Sequence, residues 1–126
     1  MSPYFPVMIG GAIGAGFRFH IGRVALQNMG PGFPWGTWIV NILGGFLMGI
    51  LAGELMRHTP EQGEPLRLFL GVGVLGGFTT FSAFSLELFA MIERGNAGLA
   101  GAYAVSSVAG SVVLLLAGVW LMRSFG

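Results

Sequence analysis

The sequence predicts an all-α membrane protein, and three features of its composition support this class. Only 9 % of the 126 residues are charged, 54 % are hydrophobic and 23 are glycine, with a mean hydropathy of +0.79. Soluble domains carry about 25 % charged residues and about 7 % glycine. The chain therefore has under half the charge and more than twice the glycine of a soluble domain, and its length predicts a single domain.

Four apolar stretches follow one another along the chain, at about residues 4–25, 35–56, 66–92 and 97–122. Each is long enough to cross about 30 Å of hydrocarbon as an α-helix. All six prolines lie at the N-terminus or in the first two connections, where a missing backbone N–H costs little. Transmembrane strands would instead alternate over about ten residues. We therefore expect one domain, residues 1–126, of four transmembrane helices.

The composition also excludes several classes of function. There is no cysteine, which excludes disulfides, cysteine-based metal sites and thiol catalysis. The two histidines, His20 and His58, are too scattered for a metal centre. No basic run is present that could bind nucleic acid. Because no base, nucleophile or metal set converges either, we do not expect an enzyme.

The arginines give no preferred orientation in the membrane. With four crossings, Arg57, Arg67 and Arg123 fall on the side of the N-terminus, and Arg18 and Arg23 fall toward the other side together with the remaining arginine, at position 94. Orientation normally follows an excess of arginine and lysine on one side. The balance of three against three fits either a short chain with a weak signal or a chain that inserts both ways and pairs with its inverted copy.

Small residues recur four positions apart in the second stretch, at Gly45, Gly49 and Gly53. Such spacing lets helix backbones approach closely in lipid, and packing alone is sufficient to explain most of these glycines. Thr37 and Asn41 continue the same line toward the start of the helix. We therefore expect the Asn41 amide to face protein or water and not lipid.

Hydroxyl groups follow one face of the fourth stretch. Tyr103, Ser107 and Ser111 lie four residues apart, with Ser106 beside them. A single serine in a membrane helix can bond to its own helix, but polar groups in lipid are costly without a partner or a role. Three hydroxyls in register favour a polar track.

The third stretch is a poor helix at its centre, where two glycines are followed by a phenylalanine and two threonines. We expect a break at residues 76–80. Broken membrane helices are tolerated where their freed backbone groups are buried in protein or line a cavity, and those groups bind ions. The alternative is a kink that only improves packing.

Aromatic and hydroxyl side chains follow the expected break. Phe81 and Phe84 lie three residues apart, with Ser82 and Ser85 on the adjoining face. Phenylalanines in a membrane helix usually serve only for packing. However, aromatic ring edges are electropositive, so a pair of rings can favour a small anion without trapping it, and conduction needs such weak binding.

Two charged residues lie within the apolar stretches. Arg18 would cost about 2.5 to 3.5 kcal/mol at the bilayer centre on insertion scales, so we expect it to reach an aqueous vestibule and attract anions. Glu87 follows Phe84 by three positions, and we expect it to bond polar groups at the mouth of the third helix.

Three segments stand out as motifs, namely GGAIGAGFRF at 10–19, GTWIVN at 36–41 and GGFTTFSAFSLE at 76–87. They resemble the Fluc family of bacterial fluoride channels, also called CrcB, and the third is highly specific. The resemblance covers the whole chain in length, number of spans and order of motifs. It implies an inverted, dual-topology homodimer in the bacterial inner membrane, with two fluoride pores and passive export of fluoride.

The resemblance also implies roles for individual residues. Asn41 matches the pore asparagine of the second helix, and Phe81 and Phe84 match the paired pore phenylalanines. Gly76 and Thr79 match two residues whose backbone carbonyls, from both protomers, hold a structural sodium ion that is not transported.

The remaining implied pore residues lie on the first and fourth helices. Arg18 matches the arginine of the first helix, and Tyr103, Ser107 and Ser111 match the polar track. Leu115 is apolar where some relatives place a hydroxyl, which leaves the far end of the track open.

Two other functions fit a small membrane protein of this kind. A multidrug or guanidinium transporter of four helices and dual topology would need a carboxylate in the first helix, where this chain has Arg18 and no acidic residue. A subunit that only scaffolds a partner would use the glycine faces for packing and conduct no ion. The polar track makes this second alternative the weaker one.

Overall fold

A computed structural model describes residues 2–125, and most of that range is helical. The helices are α1 (Tyr4–Met29), α2 (Trp35–Leu55), α3 (Pro60–Leu66), α4 (Gly76–Phe78), α5 (Ser82–Glu93) and α6 (Ala97–Phe125), with a π-helical segment at Arg67–Leu75 between α3 and α4. No residue from 2 to 125 lies in a strand. The predicted all-α class is therefore confirmed.

Three helical stretches within residues 2–125 are long and apolar enough to cross a membrane, namely Trp35–Leu55, Pro60–Glu93 and Ala97–Phe125. Helix α1 has 26 residues, or about 39 Å at 1.5 Å per residue. Its length is sufficient, but Arg18, His20 and Arg23 lower its hydropathy. Large apolar side chains are exposed on every long helix, as expected for surfaces that face lipid.

The third stretch begins at Pro60, six residues before the predicted position. Thr59 starts α3 with a capping box, in which its hydroxyl accepts from the Gln62 backbone N–H and the Gln62 side chain accepts from the Thr59 N–H. This arrangement satisfies two backbone donors that a helix start leaves free. Pro65 lies inside α3 and cannot donate a backbone hydrogen bond, and the wider π-helical turns begin two residues later.

The predicted helix break is confirmed, but it is shifted toward the C-terminus. The chain leaves the helix at residues 79–81, where Thr79 is extended with φ −82° and ψ 158°. Gly76 and Gly77 remain helical, and Gly77 serves close packing. A Cβ at Gly77 would overlap the backbone of Gly11. Helix α4 therefore stays wound against α1, and the break follows it.

Glycines set the two closest helix crossings. The α1 crossing with the π-helical segment and α4 has Gly10 against Gly73 and Gly14 against Val74, backbone to backbone. The crossing of α2 with α6 has Gly45 against Ser111 and Gly49 against Leu115. Small residues allow such approaches, and dispersion contacts then hold the helices together in lipid.

Helix α5, the second half of the broken helix, packs mainly on α6. The contact is a small core of Phe84, Met91, Ala100 and Tyr103. The outer side of α5 is apolar and exposed, as at Phe89. The break thus separates a half that is tightly packed on α1 from a half that is held mostly by α6.

Candidate functional site

Side chains of α1 and α2 bond to the backbone groups that the break frees. The Asn41 amide donates to the Thr80 carbonyl at 2.9 Å, and its oxygen accepts from the Thr80 N–H at 2.8 Å. Nε of Arg18 donates to the Gly77 carbonyl at 3.3 Å. Each bond replaces one that a continuous helix would make along its own axis. The break is therefore a fixed feature of the fold.

Three carbonyl oxygens near the break have no hydrogen-bond donor among residues 2–125. They belong to Gly76, Phe78 and Thr79. Gly76 and Thr79 are the two residues expected to hold sodium. Gly76 is exposed on the surface of the single chain and Thr79 is half-buried.

A cavity of about 410 Å³ lies beside the break, between α2, α5 and α6. Its lining is apolar apart from a few amide, hydroxyl and backbone groups. Five of the predicted pore residues line it, namely Asn41, Phe81, Phe84, Ser107 and Ser111, together with Gly44, Gly45, Met48, Thr79, Thr80, Val108, Val112 and Leu115. No lining residue is charged.

Ser107 lines this cavity and has an unused hydroxyl, whose oxygen is itself buried. The residue is 4 % exposed, and its Oγ has no hydrogen-bond partner within the described part of the chain. The neighbouring track hydroxyl, that of Ser111, instead donates to the Asn41 carbonyl at 3.2 Å. A buried hydroxyl without a partner costs about 1–3 kcal/mol, so Ser107 is the group in this cavity that most needs a ligand.

The paired phenylalanines are in contact but differ in burial. Their ring centroids are 5.8 Å apart. Phe84 is 7 % exposed and packs on Tyr103 with centroids 5.0 Å apart, whereas Phe81 is 77 % exposed. Phe81 therefore lies at the open side of the cavity and Phe84 at the wall.

Tyr103 lies behind the cavity wall and is not among the residues that line it. It is fully buried, and its hydroxyl donates to Glu87 at 3.0 Å. Phe33, from the connection between α1 and α2, packs edge-on against its ring at 5.2 Å. Of the three residues of the predicted polar track, only Ser107 and Ser111 line the cavity. Glu87 is instead the hydrogen-bond partner of Tyr103.

Ser82 and Ser85 are both exposed and do not line the cavity. The break turns the first turn of α5 so that Phe84 points inward and the serines point away. Ser106 also serves packing, because it accepts from Trp38 Nε1 at 3.0 Å and donates to the Tyr103 carbonyl.

A second cavity of about 280 Å³ contains Arg18. Arg18, Arg23, Thr37 and Thr80 are its polar lining residues, and none of its lining residues is acidic. Positive charge without a carboxylate partner in the lining raises the local concentration of anions. Thr80 lines both cavities, so this residue lies between the arginine cavity and the cavity beside the break.

Thr80 is the functional residue that the sequence reasoning missed. Its backbone is held by Asn41, and its hydroxyl accepts from the Ala83 N–H at 3.2 Å. The N-cap residue of α5 is Phe81, which makes no side-chain cap bond, so the Thr80 hydroxyl bonds the first turn of α5 from the residue before the N-cap.

The fold and the cavities define a multi-pass membrane protein with an uncharged, hydroxyl-bearing cavity at a broken helix and an arginine-lined cavity beside it. A family model described as CrcB-like protein, Camphor Resistance (CrcB), matches residues 5–119. The chain belongs to this CrcB-like family, and the resemblance seen in its motifs is confirmed.

Curated relatives match the chain over nearly its full length. The fluoride-specific ion channel FluC of Sphingopyxis alaskensis is 52 % identical over 123 residues, which cover 98 % of this chain and 97 % of the relative. Proteins of the same name from Novosphingobium aromaticivorans and Phenylobacterium zucineum are each 56 % identical, over 119 and 123 residues. The alignment with the Novosphingobium aromaticivorans protein covers 93 % of this chain and 93 % of the relative. The alignment with the Phenylobacterium zucineum protein covers 98 % of this chain and 97 % of the relative.

Proposed function

We propose that this chain is a fluoride-selective ion channel that lets fluoride leave a bacterial cell passively across the cytoplasmic membrane. The relatives carry that function in their names, and they align with almost the whole chain. Passive flow of an ion makes and breaks no covalent bond, so the chain is not an enzyme. Its role is to lower fluoride inside the cell.

The observation that carries this proposal is the unpartnered hydroxyl of Ser107, a residue that lines the cavity beside the break. Fluoride is small and strongly hydrated, so a pore must replace its water with hydrogen-bond donors. Ser107 supplies one such donor. Asn41 supplies a second, because only one of its two amide hydrogens is directed to Thr80 in the structure.

Charge is arranged to attract an anion without trapping it. Arg18 and Arg23 line the adjoining cavity, and the cavity with Ser107 has no charged lining residue. Conduction needs binding that is favourable enough for entry and weak enough for exit. Fluoride would therefore gather near the arginines and pass Thr80 to reach the neutral cavity.

The aromatic pair fits the same requirement. Phe81 and Phe84 line the neutral cavity with their rings in contact. The edge of an aromatic ring carries partial positive charge. Ring edges turned toward the cavity would stabilise a fluoride ion that has lost part of its water.

We also propose that two inverted copies form the channel, with two pores per dimer and a structural sodium ion between the copies. The free carbonyls of Gly76 and Thr79 support this proposal, since hard cations bind oxygen ligands. Sodium would supply a fixed positive charge that is not transported. The balanced arginines and the exposed apolar side of α5 support a dimer without a preferred orientation, in which all four helical stretches cross the membrane.

Efflux from liposomes tests the proposed function. The purified chain is reconstituted in liposomes loaded with potassium fluoride or potassium chloride, and release is recorded with ion-selective electrodes after valinomycin is added. We expect rapid fluoride release with no proton gradient across the membrane, and retention of chloride. Equal rates for the two anions, or fluoride release that requires a proton gradient, would contradict a selective channel.

A further inference from the structure

Two arginines lie close together where α2 and α6 end, far from the cavity beside the break. Arg57 follows α2 directly, and Arg123 lies in the last turn of α6. They line a cavity of about 420 Å³ with Gly53, Met56 and Phe125. Phe125 is 78 % exposed, as expected for a ring at the level of the lipid headgroups.

The positive charge at this end is only partly compensated. Arg57 lies 3.5 Å from the Glu54 carboxylate and donates to the Met122 carbonyl. The contact recorded for Arg123 is with the Met56 sulfur at 3.8 Å, and no acidic residue within 2–125 pairs with it. Two guanidinium groups thus line this cavity, and one of them pairs with a carboxylate.

An apolar cavity of about 440 Å³ begins at the level of the arginine cavity. Its lining follows α2 inward from Glu54 to Leu47, about 10 Å at 1.5 Å per residue. Met122 and Glu54 lie at its outer end, and each is adjacent in sequence to a residue of the arginine cavity. The other lining residues are Ile50, Leu51, Leu66, Leu70, Val74 and Leu75.

We propose that this end of the chain binds an anionic phospholipid, with its phosphate between Arg57 and Arg123 and an acyl chain in the apolar cavity. Arginine binds phosphate oxygens through paired N–H groups. Basic pockets between membrane helices at the headgroup level are typical binding sites for anionic lipids. The unpaired Arg123 guanidinium suits the negative charge of a phosphodiester, and the neighbouring apolar cavity distinguishes a lipid from a free anion. This proposal does not depend on the transported ion.

Native mass spectrometry tests the lipid site. The full chain, purified in a non-ionic detergent, is mixed with phosphatidylglycerol or with phosphatidylcholine of the same acyl chains. We expect the chain to retain phosphatidylglycerol preferentially. We expect Arg123→Gln to lower that retention at least fivefold and Arg123→Lys, which keeps the charge but not the paired N–H groups, to lower it less. Arg94→Gln is the matched control, because Arg94 is exposed at the opposite end of the helices. It should retain the lipid like the unchanged chain.

Three outcomes would overturn the proposal. The first is equal retention of the two lipids, and the second is an equal loss in Arg123→Gln and Arg94→Gln. The third is displacement of the lipid by millimolar inorganic phosphate, which would indicate a site for free anions. Arg57→Gln serves as the folding control, because it breaks the contact between Arg57 and the Met122 carbonyl at the end of α6. If Arg123→Gln loses lipid but keeps the melting temperature of the unchanged chain, the loss is one of binding and not of folding.

Discussion

Asn41 bonds the backbone of Thr80 with both ends of its side-chain amide. From the sequence, its position on the glycine face of the second helix indicated a packed, polar environment. Its partner could not be predicted, because the bond joins residues 39 positions apart and depends on where the third helix breaks. The Asn41 amide therefore has two roles. It holds the backbone at the break, and it also supplies a hydrogen-bond donor to the cavity.

Replacement of Asn41 by alanine should lower both stability and flux. Loss of its two hydrogen bonds to Thr80 should cost about 1–3 kcal/mol, since a net hydrogen bond contributes about 0.5–1.5 kcal/mol. Thermal unfolding in detergent measures the first effect and liposome efflux the second. Asn28→Ala is the control, because the Asn28 amide is exposed and bonds only within α1. Equal melting temperatures for the two variants would show that the bonds to Thr80 do not hold the break.

Ser107 and Ser111 should respond differently to removal of the hydroxyl. Ser107→Ala loses no hydrogen bond within the described chain, so its stability should be unchanged or slightly raised. Its fluoride efflux should fall roughly tenfold, as expected for a loss of about 1.4 kcal/mol of stabilisation along the pathway. Ser111→Ala loses the bond to the Asn41 carbonyl and should be destabilised by about 1 kcal/mol. Normal efflux in Ser107→Ala would contradict its role as a donor.

At the scale of elements, helix propensity predicts that the third stretch breaks but not the residue at which it breaks. Two glycines and two threonines predicted a break at 76–80, and a break is present at 79–81. Gly77 stays helical because it packs on Gly11 of α1, a partner that cannot be seen in the sequence. The glycine contacts between α2 and α6 were indicated by four-residue spacing alone, because that spacing defines a helix face.

Gly49→Ala tests the crossing of α2 and α6. A Cβ at Gly49 would overlap the Leu115 carbonyl oxygen, and backbone cannot rotate away as a side chain can. We expect a loss of at least about 2 kcal/mol, within the range for overpacking. Gly101→Ala, where a Cβ meets nothing within 4 Å, should gain up to about 1 kcal/mol of helix stability. Melting temperatures that move in the same direction would contradict this crossing.

At the scale of the whole molecule, the proposed inverted dimer predicts insertion in both orientations, which the three-against-three balance of arginines permits. The chain has no cysteine, so a single Asn96→Cys variant gives one labelling site, in the exposed connection between α5 and α6. A membrane-impermeant maleimide should label about half of the chains in intact spheroplasts and all of them after permeabilisation. Labelling of nearly all or nearly none before permeabilisation would indicate one orientation and exclude an inverted dimer.

The central claim is that fluoride crosses the membrane past the broken helix, through the cavity walled by Phe84. The most direct test is fluoride efflux from liposomes that contain Phe84→Ile, compared with Phe89→Ile at the same protein density. Both residues lie on α5, but Phe84 lines the cavity and Phe89 is 59 % exposed on the outer surface. We predict that Phe84→Ile conducts at least about tenfold more slowly, equivalent to about 1.4 kcal/mol, and that Phe89→Ile conducts normally. Equal, unreduced rates would contradict a pathway through this cavity.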